Sequence, residues 1–275
     1  MPSNSPLVIL LTGASSGIGH AAVLRLLDAG HRVHAGARRT DRMTDLMFAG
    51  AIVHHLNVAD AGSRQNCFEN IIATEGRIDV LINNAGFGVY GAVEDVSLDE
   101  ARAQFETNLF GLAHLTQIVL PGMRQRGSGC IINLGSVGGT IHTPMGAWYH
   151  ASKFALEGWT RCLRLEVEPL GIRVIQVIPG AIQTEFGDVA MAPLLTRAEG
   201  GAYQSIAHRM ARAVLGAYAS GTATSPEKVG DLLVNLVSKK RPRSRYVIGH
   251  LAWPLLLMRR YLSDRMIDRI MRKFM

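Results

Sequence analysis

Short aliphatic runs alternate along this chain with longer stretches of helical periodicity, and this alternation limits the available folds more than any other feature. The first run, Leu7 to Leu11, has no polar residue at alternate positions, which is typical of a strand covered on both faces. Further strands are predicted at 31–35, 51–56, 79–82, 130–134, 172–178 and 245–248. Helices are predicted at about 18–29, 41–49, 62–75, 98–120, 148–168 and 226–238. Because such alternation gives right-handed crossovers, we expect an α/β fold with a doubly wound, seven-stranded, mostly parallel sheet and helices on both faces.

The chain of 275 residues has no linker-like stretch before residue 185, so we expect a single domain spanning 1–275. Apolar residues make up 48% of the sequence, enough for a sizeable core. Residues 185–225 form a long connection of mixed apolar and small residues, which we expect to act as a lid on the substrate side. Residues 251–275 form an amphipathic C-terminal extension, for which we expect packing or a lid role.

The net charge of +7 favours an anionic partner, and much of the basic excess lies late in the chain, in 239–245 and 259–273. Nucleic acid is disfavoured because the basic residues are neither interleaved with aromatic residues nor carried on a reading helix. We expect an anionic cofactor, and only weak contact of the C-terminal helix with a membrane surface.

Three further patterns bear on location. The first aliphatic run is far shorter than the roughly 20 residues needed to cross a bilayer. The first residues have no basic segment of the kind that begins a signal peptide. The three cysteines are an odd number without C-x-x-C spacing, which is typical of free thiols in a reducing compartment. A cytoplasmic location is therefore predicted.

A glycine-rich turn, Thr12–Gly19, follows the first strand and begins the first helix. Its glycines let the backbone turn tightly and approach a pyrophosphate, and the helix N-terminus offers free N–H groups and partial positive charge. The spacing is G-x-x-x-G-x-G, which departs from the G-x-G-x-x-G dinucleotide fingerprint, so an ordinary βα turn is the alternative. The candidate cofactor contacts here are Gly13, Ser15, Ser16, Gly17, Ile18 and Gly19.

The end of the second strand predicts which dinucleotide is bound. In dinucleotide-binding units an acid at this point bonds the ribose hydroxyls of NAD, whereas an arginine accommodates the extra phosphate of NADP. This chain has Arg38 and Arg39 there and no acid. Because a guanidinium can hold a phosphate by paired, charge-assisted bonds, NADP(H) is favoured over NAD, with a solvated strand-end arginine as the alternative.

Tyr149 and Lys153 lie four residues apart at the start of a predicted helix and so share one face. A phenol is a poor base at neutral pH, but a neighbouring ammonium lowers its pKa and makes proton exchange feasible. Ser136 follows the fifth strand, and the run Asn83 to Gly86 follows the fourth. Since ligands of parallel sheets bind beyond the carboxyl ends of the strands, we expect these groups to converge with the glycine-rich turn. The sequence around Ser136 fails the G-x-S-x-G pattern, which argues against a hydrolase nucleophile.

Together these motifs resemble the short-chain dehydrogenase/reductase family, in its single-domain branch, closely over about 7–185 and loosely to about 250. The resemblance is carried by Thr12, Gly13, Gly17, Gly19, Asn83 to Gly86, Asn108, Ser136, Tyr149, Lys153, Pro179, Gly180 and Thr184. It implies a Rossmann-type fold and hydride transfer with a nicotinamide cofactor. A weaker resemblance extends to the subset that includes 17β-hydroxysteroid and retinol dehydrogenases.

The family resemblance implies catalytic roles for four side chains. Tyr149 would be the general acid in reduction and the base in oxidation, while Lys153 would lower its pKa and bind the nicotinamide ribose. Ser136 would polarise the substrate carbonyl, and Asn108 would hold a water that links Lys153 to solvent.

The implied contacts with the rest of the cofactor come from three further segments. They are Asn57 and Val58, then Asn84, Ala85 and Gly86, and then Pro179, Gly180, Ile182 and Thr184. The chain departs from the family pattern at Asn57, where Asp is usual, and at Gly135, where many members have Ser.

The residues expected around the substrate are mostly apolar, which predicts a hydrophobic substrate. They are Phe87, Val89, His142, Met145, Trp148, Phe186 and parts of 185–225. We expect an NADP(H)-dependent oxidoreductase that acts on a steroid-, retinoid- or lipid-like ketone, aldehyde or secondary alcohol, and the resemblance implies a homodimer or homotetramer. Two alternatives stay open: a catalytically quiet NADP-binding regulatory protein of the same fold, and an epimerase or dehydratase with bound NAD. No metal site is expected, because His31 and His34 on their strand point to opposite faces.

Overall fold

The computed structural model describes residues 5–219 and 221–274, apart from the side chains of residues 219, 273 and 274. This part of the chain forms a seven-stranded sheet in the order β3-β2-β1-β4-β5-β6-β7, and every strand pairing is parallel. The strands are β1 (Val8–Thr12), β2 (Arg32–Ala37), β3 (Ile52–His55), β4 (Val80–Asn83), β5 (Gly129–Leu134), β6 (Ile172–Pro179) and β7 (Arg245–Ile248). The predicted fold class is confirmed, and each strand matches its predicted range to within about two residues.

Helices cover both faces of the sheet. They are α1 (Gly17–Asp28), α2 (Thr44–Phe48), α3 (Ala61–Glu75), α4 (Leu98–Phe105), α5 (Gly111–Arg126), α6 (Ala147–Val167), α7 (Phe186–Ala198), α8 (Gln204–Ala219), α9 (Pro226–Ser238), α10 (Ala252–Tyr261) and α11 (Asp264–Phe274). Within the described ranges, none of them is long and apolar enough to cross a membrane.

Strand β1 illustrates why the aliphatic runs lack polar alternation. Ile9 and Leu11 belong to the core formed with α1 and α9, whereas Leu10 points to the opposite face and belongs to the core formed with α3, α5 and α6. All three side chains are fully buried. Burial of each contributes about 1.5–3 kcal/mol, so a polar residue at any of these positions would destabilise one of the two layers.

The predicted helix 98–120 is not one regular helix. It begins at a capping box in which Ser97 and Glu100 satisfy each other's backbone N–H groups. A π-helical turn, Glu106–Phe110, then separates α4 from α5, and α5 continues past Pro121 to Arg126. The π turn inserts an extra residue into the helical repeat and turns Asn108 inward, which periodicity could not reveal.

The two irregular regions of the sequence are helical and pack together. Residues 185–225, predicted as a long connection, contain α7 and α8, and the C-terminal extension contains α10 and α11. Side chains of all four helices, including Ile267 and Met271, form a third apolar cluster that also contains the ring of Tyr149. The predicted apolar face of the tail is only partly buried, since Met266 is exposed; the side chain of Phe274 and residue 275 lie outside the described residues.

Candidate active site

The glycine-rich turn packs directly against the end of β4. Gly13 has a φ of +72°, and a Cβ added to it would lie 2.8 Å from the Cα of Ala85. A Cβ on Gly19 would overlap the carbonyl oxygen of Gly13 and lie 2.6 Å from Nδ2 of Asn84. Only glycine permits this approach, which holds the start of α1 against the sheet edge.

Free backbone donors line the same turn. Helix α1 begins at Gly17, and Ser16 at its N-cap accepts no capping bond on its side chain. Within the described part of the chain, the backbone N–H groups from Ser15 to Gly19 have no protein acceptor. The first backbone hydrogen bond of the helix runs from the N–H of His20 to the carbonyl of Ser16. A phosphate-bearing dinucleotide fits this cradle, because its oxygens would satisfy donors that the helix leaves unpaired.

Asn84 holds the turn in place through its side chain. Its Nδ2 donates to the carbonyl oxygens of Thr12 at 3.0 Å and Gly13 at 3.1 Å. The hydroxyl of Thr12 accepts in return from the N–H groups of Asn84 at 3.1 Å and Ala85 at 3.0 Å. The side-chain amide donor of Asn84 is therefore engaged in holding the shape of the turn, and its contact with a cofactor stays a prediction.

Arg38 and Arg39 follow β2 at the same edge of the sheet, and both are exposed. Among the described residues neither guanidinium has a hydrogen bond or an ion pair. Arg42, one turn further on, is paired with Glu185 at 3.3 Å. The two free guanidinium groups are consequently available to an anion.

Asn57 and Val58 follow β3 in a loop that is closely bonded to itself. Oδ1 of Asn57 accepts from the N–H of Ala59 at 3.2 Å, and the N–H of Asn57 donates to Oγ of Ser63 at 2.9 Å. The carbonyl of Val58 accepts from the buried guanidinium of Arg64. The side chain of Asn57 therefore shapes its own loop in the way that an Asp at this position also could.

Ser136 and Tyr149 meet at Gly138. A Cβ added to Gly138 would lie 2.9 Å from Cε1 of Tyr149, 3.2 Å from Nδ1 of His150 and 3.3 Å from Oγ of Ser136. The N–H of Gly138 donates to Oγ of Ser136 at 3.0 Å. The missing side chain thus makes the space in which the serine hydroxyl and the phenol lie side by side.

Burial controls the protonation of both predicted proton-handling groups. Desolvation raises the pKa of Tyr149 to about 12, opposed by a hydrogen bond with Ser136. Desolvation lowers the pKa of Lys153 to about 8, and its ammonium donates to the carbonyl of Leu134 at 3.1 Å. The ammonium of Lys153 is directed at a backbone carbonyl, and its effect on the pKa of Tyr149 stays a prediction.

Asn108 joins three segments of the site from within the π turn. Its Oδ1 accepts from the N–H of Phe87 at 3.1 Å, while its Nδ2 donates to the carbonyl of Phe87 at 2.9 Å and to Oγ of Ser152 at 3.0 Å. A Cβ on Gly86 would lie 3.1 Å from Oδ1 of Asn108 and 3.7 Å from Nζ of Lys153. The structure therefore brings Asn108 and Lys153 to the same place, with the loop after β4 between them.

The segment after β6 closes the edge of the site beside the glycine-rich turn. The N–H of Gly180 donates to the carbonyl of Ile248 at 2.8 Å, and Ile182 is buried. A Cβ on Gly17 would lie 3.0 Å from Cγ2 of Thr184. Thr184 and residues 15–17 also line one open groove of about 850 Å³.

Aromatic rings surround Tyr149 on the substrate side. Its ring centroid lies 5.5 Å from that of Tyr90 and 5.6 Å from that of Phe186. A Cβ on Gly88 would lie 2.9 Å from the Tyr90 ring, 3.1 Å from Phe186 and 3.2 Å from Tyr149. These contacts place the phenol at an apolar wall, where water is excluded.

The other residues expected around the substrate take more varied positions. Met145 is buried, belongs to the third apolar cluster, and has a φ of +65°. The indole N–H of Trp148 is buried without a partner among the described residues. His142 points outward and contacts Asp268 of α11 at 3.3 Å, so it links the loop before α6 to the C-terminal extension rather than lining the apolar wall.

Sequence reasoning missed several residues that shape this site. They are Gly88, Tyr90, Gly138, His150 and Arg197. Arg197 on α7 bonds both the carbonyl of Tyr90 and the carboxylate of Glu100, and thereby attaches α7 to the loop after β4. No motif could identify these residues, because their roles depend on contacts between distant segments.

Residues 7–192 match the family described as short chain dehydrogenase. The chain belongs to the short-chain dehydrogenase/reductases. As a member of this family it is an oxidoreductase that uses a nicotinamide cofactor, and the geometry of its glycine-rich turn agrees with that.

Individual relatives cover nearly the whole chain. A protein of Bacteroides thetaiotaomicron named 3-ketodihydrosphingosine reductase is 35% identical over 98% of this chain and 98% of its own length. A short-chain dehydrogenase from Streptomyces avermitilis has a solved structure that is 33% identical, with a TM-score of 0.81 over 98% of this chain and 95% of its own. The closed form of serine dehydrogenase complexed with NADP+ is 25% identical, with a TM-score of 0.75 over 89% of this chain and 95% of its own.

Histidines of β2 and β3 pair with each other. Nδ1 of His34 lies 2.8 Å from Nε2 of His54, and Nε2 of His34 lies 3.2 Å from Oε1 of Glu75. Across the described ranges, no group of three or more His, Cys, Asp or Glu side chains has a geometry that could hold a metal ion.

Proposed function

We propose that this chain is an NADP(H)-dependent oxidoreductase that transfers a hydride between nicotinamide and a hydrophobic ketone, aldehyde or secondary alcohol. The observation that carries the proposal is the position of Tyr149. Its buried phenol lies beside Ser136, at the edge of the sheet that also carries the glycine-rich turn, and forms part of an apolar cluster.

The residues divide the chemistry in a simple way. The bound cofactor would supply or accept the hydride. In reduction, Tyr149 donates its phenolic proton to the substrate oxygen, and the hydroxyl of Ser136 holds that oxygen in place. Lys153 contributes positive charge beside the site, and Asn108 holds the loop that separates them. Burial of Tyr149 keeps water away from the transferring proton.

Preference for NADP(H) over NAD(H) is supported by the two unpaired guanidinium groups at the end of β2. Arg38 and Arg39 follow the second strand, where an arginine suits the extra phosphate of NADP, and neither position carries a carboxylate suited to ribose hydroxyls. A family member of known structure was solved with NADP+ bound, which agrees with this preference.

A long, lipid-like substrate is supported by the third apolar cluster. The helices of 185–225 and the C-terminal extension cover Tyr149 with aliphatic and Met side chains, which can accommodate an apolar chain. The relative named 3-ketodihydrosphingosine reductase makes a long-chain keto lipid the first compound to test. The resemblance to 17β-hydroxysteroid and retinol dehydrogenases stays a prediction.

The test is NADPH oxidation with 3-ketodihydrosphingosine and with a homologous series of straight-chain ketones. Each buried methylene stabilises binding by about 0.8 kcal/mol, so kcat/KM should rise by up to about fourfold per methylene until the apolar cluster is filled. Tyr149→Phe serves as the inactive control. Equal rates with short polar ketones and long apolar ones would refute the substrate class, and an absence of NADPH oxidation with every carbonyl compound would refute the reaction.

Contact with an anionic membrane surface is supported by one face of α10. Trp253, Leu257 and Tyr261 recur every four residues and are 58%, 47% and 73% exposed. The guanidinium of Arg260 lies 5.7 Å from the ring centre of Tyr261, and α11 adds the exposed Arg265. Exposed aromatics next to arginines suit the interface of an acidic bilayer. Co-sedimentation with phosphatidylserine vesicles, compared with neutral vesicles and with Trp253→Ser, tests this contact.

A homodimer or homotetramer is supported by α6, whose exposed face carries Phe154 and Leu165. Exposed apolar side chains on a long helix are typical of an oligomer interface. Sedimentation velocity of the wild type and of Leu165→Asp tests this assembly.

A cytoplasmic location is supported by the cysteines, all of which are unpaired: Cys67, Cys130 and Cys162.

A further inference from the structure

His150, next to Tyr149 in the chain, is 7% exposed and makes polar contacts on both sides of its ring. Its Nδ1 lies 2.9 Å from the carbonyl oxygen of Gly138. Its Nε2 lies 3.1 Å from the backbone nitrogen of Thr143 and 2.9 Å from the hydroxyl of the same residue. The reaction described above does not use this imidazole.

These partners permit a single tautomer. The N–H of Thr143 can only donate, so Nε2 of His150 must accept and carry no proton. The carbonyl of Gly138 can only accept, so the proton must be on Nδ1. The ring is therefore neutral, with all of its hydrogen bonds satisfied.

The contacts of the ring with Gly138 and Thr143 attach the loop of residues 136–143 to helix α6. Gly138 also donates its N–H to Oγ of Ser136, and the space left by its missing side chain is filled by Tyr149. A movement of Gly138 relative to α6 would thus move the serine hydroxyl relative to the phenol.

We propose that His150 is a positioning residue: its neutral Nδ1–H tautomer holds the Ser136 hydroxyl against the Tyr149 phenol, and protonation at Nε2 releases Thr143 and loosens the pair. This inference rests on the proposed reductase function for its kinetic consequence, although the tautomer itself does not depend on it. Misplacement of a catalytic group by about 1 Å can lower a rate about 100-fold, so a modest displacement of the loop would be visible in kcat.

The charges around the ring favour the neutral form. The titratable groups near the ring are Tyr149, whose ring centre lies 5.7 Å away, Tyr90 from the loop after β4, which borders the same space beside Gly146, and His142 from the loop before α6. Among the described residues, no carboxylate forms a hydrogen bond or an ion pair with the ring. Burial lowers the pKa of His150 below its usual range, and the charge of a protonated His142 lowers it further, while the carbonyl of Gly138 acts in the opposite direction. Protonation is therefore expected below pH 6.5.

The first experiment observes the tautomer directly by NMR, with the full chain labelled with ¹⁵N at histidine. The His150 ring, assigned by its loss in His150→Asn, should show a protonated Nδ1 and an unprotonated Nε2 at neutral pH, and should titrate below pH 6.5. An Nε2–H tautomer, or titration at the ordinary histidine pKa, would overturn the proposal. This measurement holds whether or not the chain reduces the carbonyl compounds tested.

The second experiment compares His150→Ala and His150→Asn with His208→Asn, a matched change at an exposed histidine of α8. We expect kcat to fall about tenfold or more in His150→Ala, with partial rescue in His150→Asn, whose amide can still donate to the carbonyl of Gly138. The Kd for NADPH should stay within about twofold. In the wild type, kcat/KM should fall as protonation of His150 loosens the pair at acidic pH. This acidic limb of the pH profile should disappear in both His150 variants and persist in His208→Asn. Unchanged kcat in the alanine variant, or an acidic limb that survives, would show that the ring does not position the pair.

Discussion

The ammonium of Lys153 donates a hydrogen bond to the carbonyl oxygen of Leu134 at 3.1 Å, and this bond ties the helix that carries Tyr149 to the end of β5. Because β5 continues directly into the loop with Ser136, the side chains of Ser136 and Tyr149 are both positioned relative to the end of this strand. The lysine is only 8% exposed, so its charge is costly, and its pKa falls to about 8. Lys153 therefore changes charge within a few pH units of neutrality, whereas Tyr149 does not.

A pH profile should detect this difference. The pKa of Lys153 is lowered, so the ammonium is charged below about pH 8 and neutral above it. The pKa of Tyr149 is about 12, so the proton donor stays loaded throughout. We expect kcat/KM for reduction to fall above about pH 8 in the wild type. The Lys153→Arg variant should turn over more slowly, but its kcat/KM should not fall above pH 8, because arginine stays charged. The same fall in both proteins would mean that another group causes it.

Replacement of Tyr149 by Phe removes one oxygen and keeps the ring. Turnover should fall by about a thousandfold or more, because the substrate oxygen loses its proposed proton donor. Binding of NADPH, measured by fluorescence titration, should change by less than about threefold. Tyr246→Phe is the matched control, since its hydroxyl accepts a hydrogen bond from the nearby backbone N–H of Arg243. Substantial turnover in Tyr149→Phe would contradict the assigned role.

Charge reversal at the end of β2 should change the cofactor preference. Arg38→Asp removes a charge-assisted contact with a phosphate and adds a carboxylate suited to ribose hydroxyls. The ratio of kcat/KM for NADPH to that for NADH should fall by about 100-fold or more. Arg124→Asp makes the same charge change on the exposed end of α5, far along the chain from the strand ends. If both variants leave the ratio unaltered, Arg38 has no part in recognition.

The glycine-rich turn should not tolerate even a methyl group at Gly19. The added Cβ would overlap the carbonyl of Gly13 and crowd Nδ2 of Asn84, so overpacking should destabilise the fold by about 1–3 kcal/mol and weaken NADPH binding. Gly216→Ala in α8 meets no atom within 4 Å and should stabilise by about 0.5–1 kcal/mol. Urea unfolding of both variants, with and without NADPH, measures the contrast; equal stabilities would refute the close approach.

The paired histidines of β2 and β3 should make stability depend on pH. Burial lowers the pKa of His54 from 6.5 to about 4 and also lowers that of His34. Between these values the unfolded chain binds protons that the folded chain does not, so the free energy of unfolding should fall as the pH drops from about 6.5 to about 4. The slope for His54 is at most about 1.4 kcal/mol per pH unit. His54→Gln should flatten the curve in urea unfolding; an unaltered slope would exclude this pair as its source.

The sequence by itself determined the layered architecture and the family. The aliphatic runs required strands covered on both faces, and their alternation with helices required parallel connections, so the strand ends had to meet at one edge. Motif spacing then identified Gly13, Ser136, Tyr149 and Lys153 as candidates. The fold prediction succeeded because burial periods and turn requirements are local properties, written in neighbouring residues. The roles of the four candidates stay predictions.

Only the tertiary structure decided how the candidates are held and protonated. The π turn that presents Asn108, the bonds that commit Asn84 to the glycine-rich turn, and the imidazole bridge of His150 all join segments far apart in the chain. The raised pKa of Tyr149 likewise comes from enclosure by helices of 185–225 and the C-terminal extension, which have no recognisable motif. Desolvation and hydrogen-bond geometry depend on which surfaces finally meet, and a linear pattern of residue types does not specify those meetings.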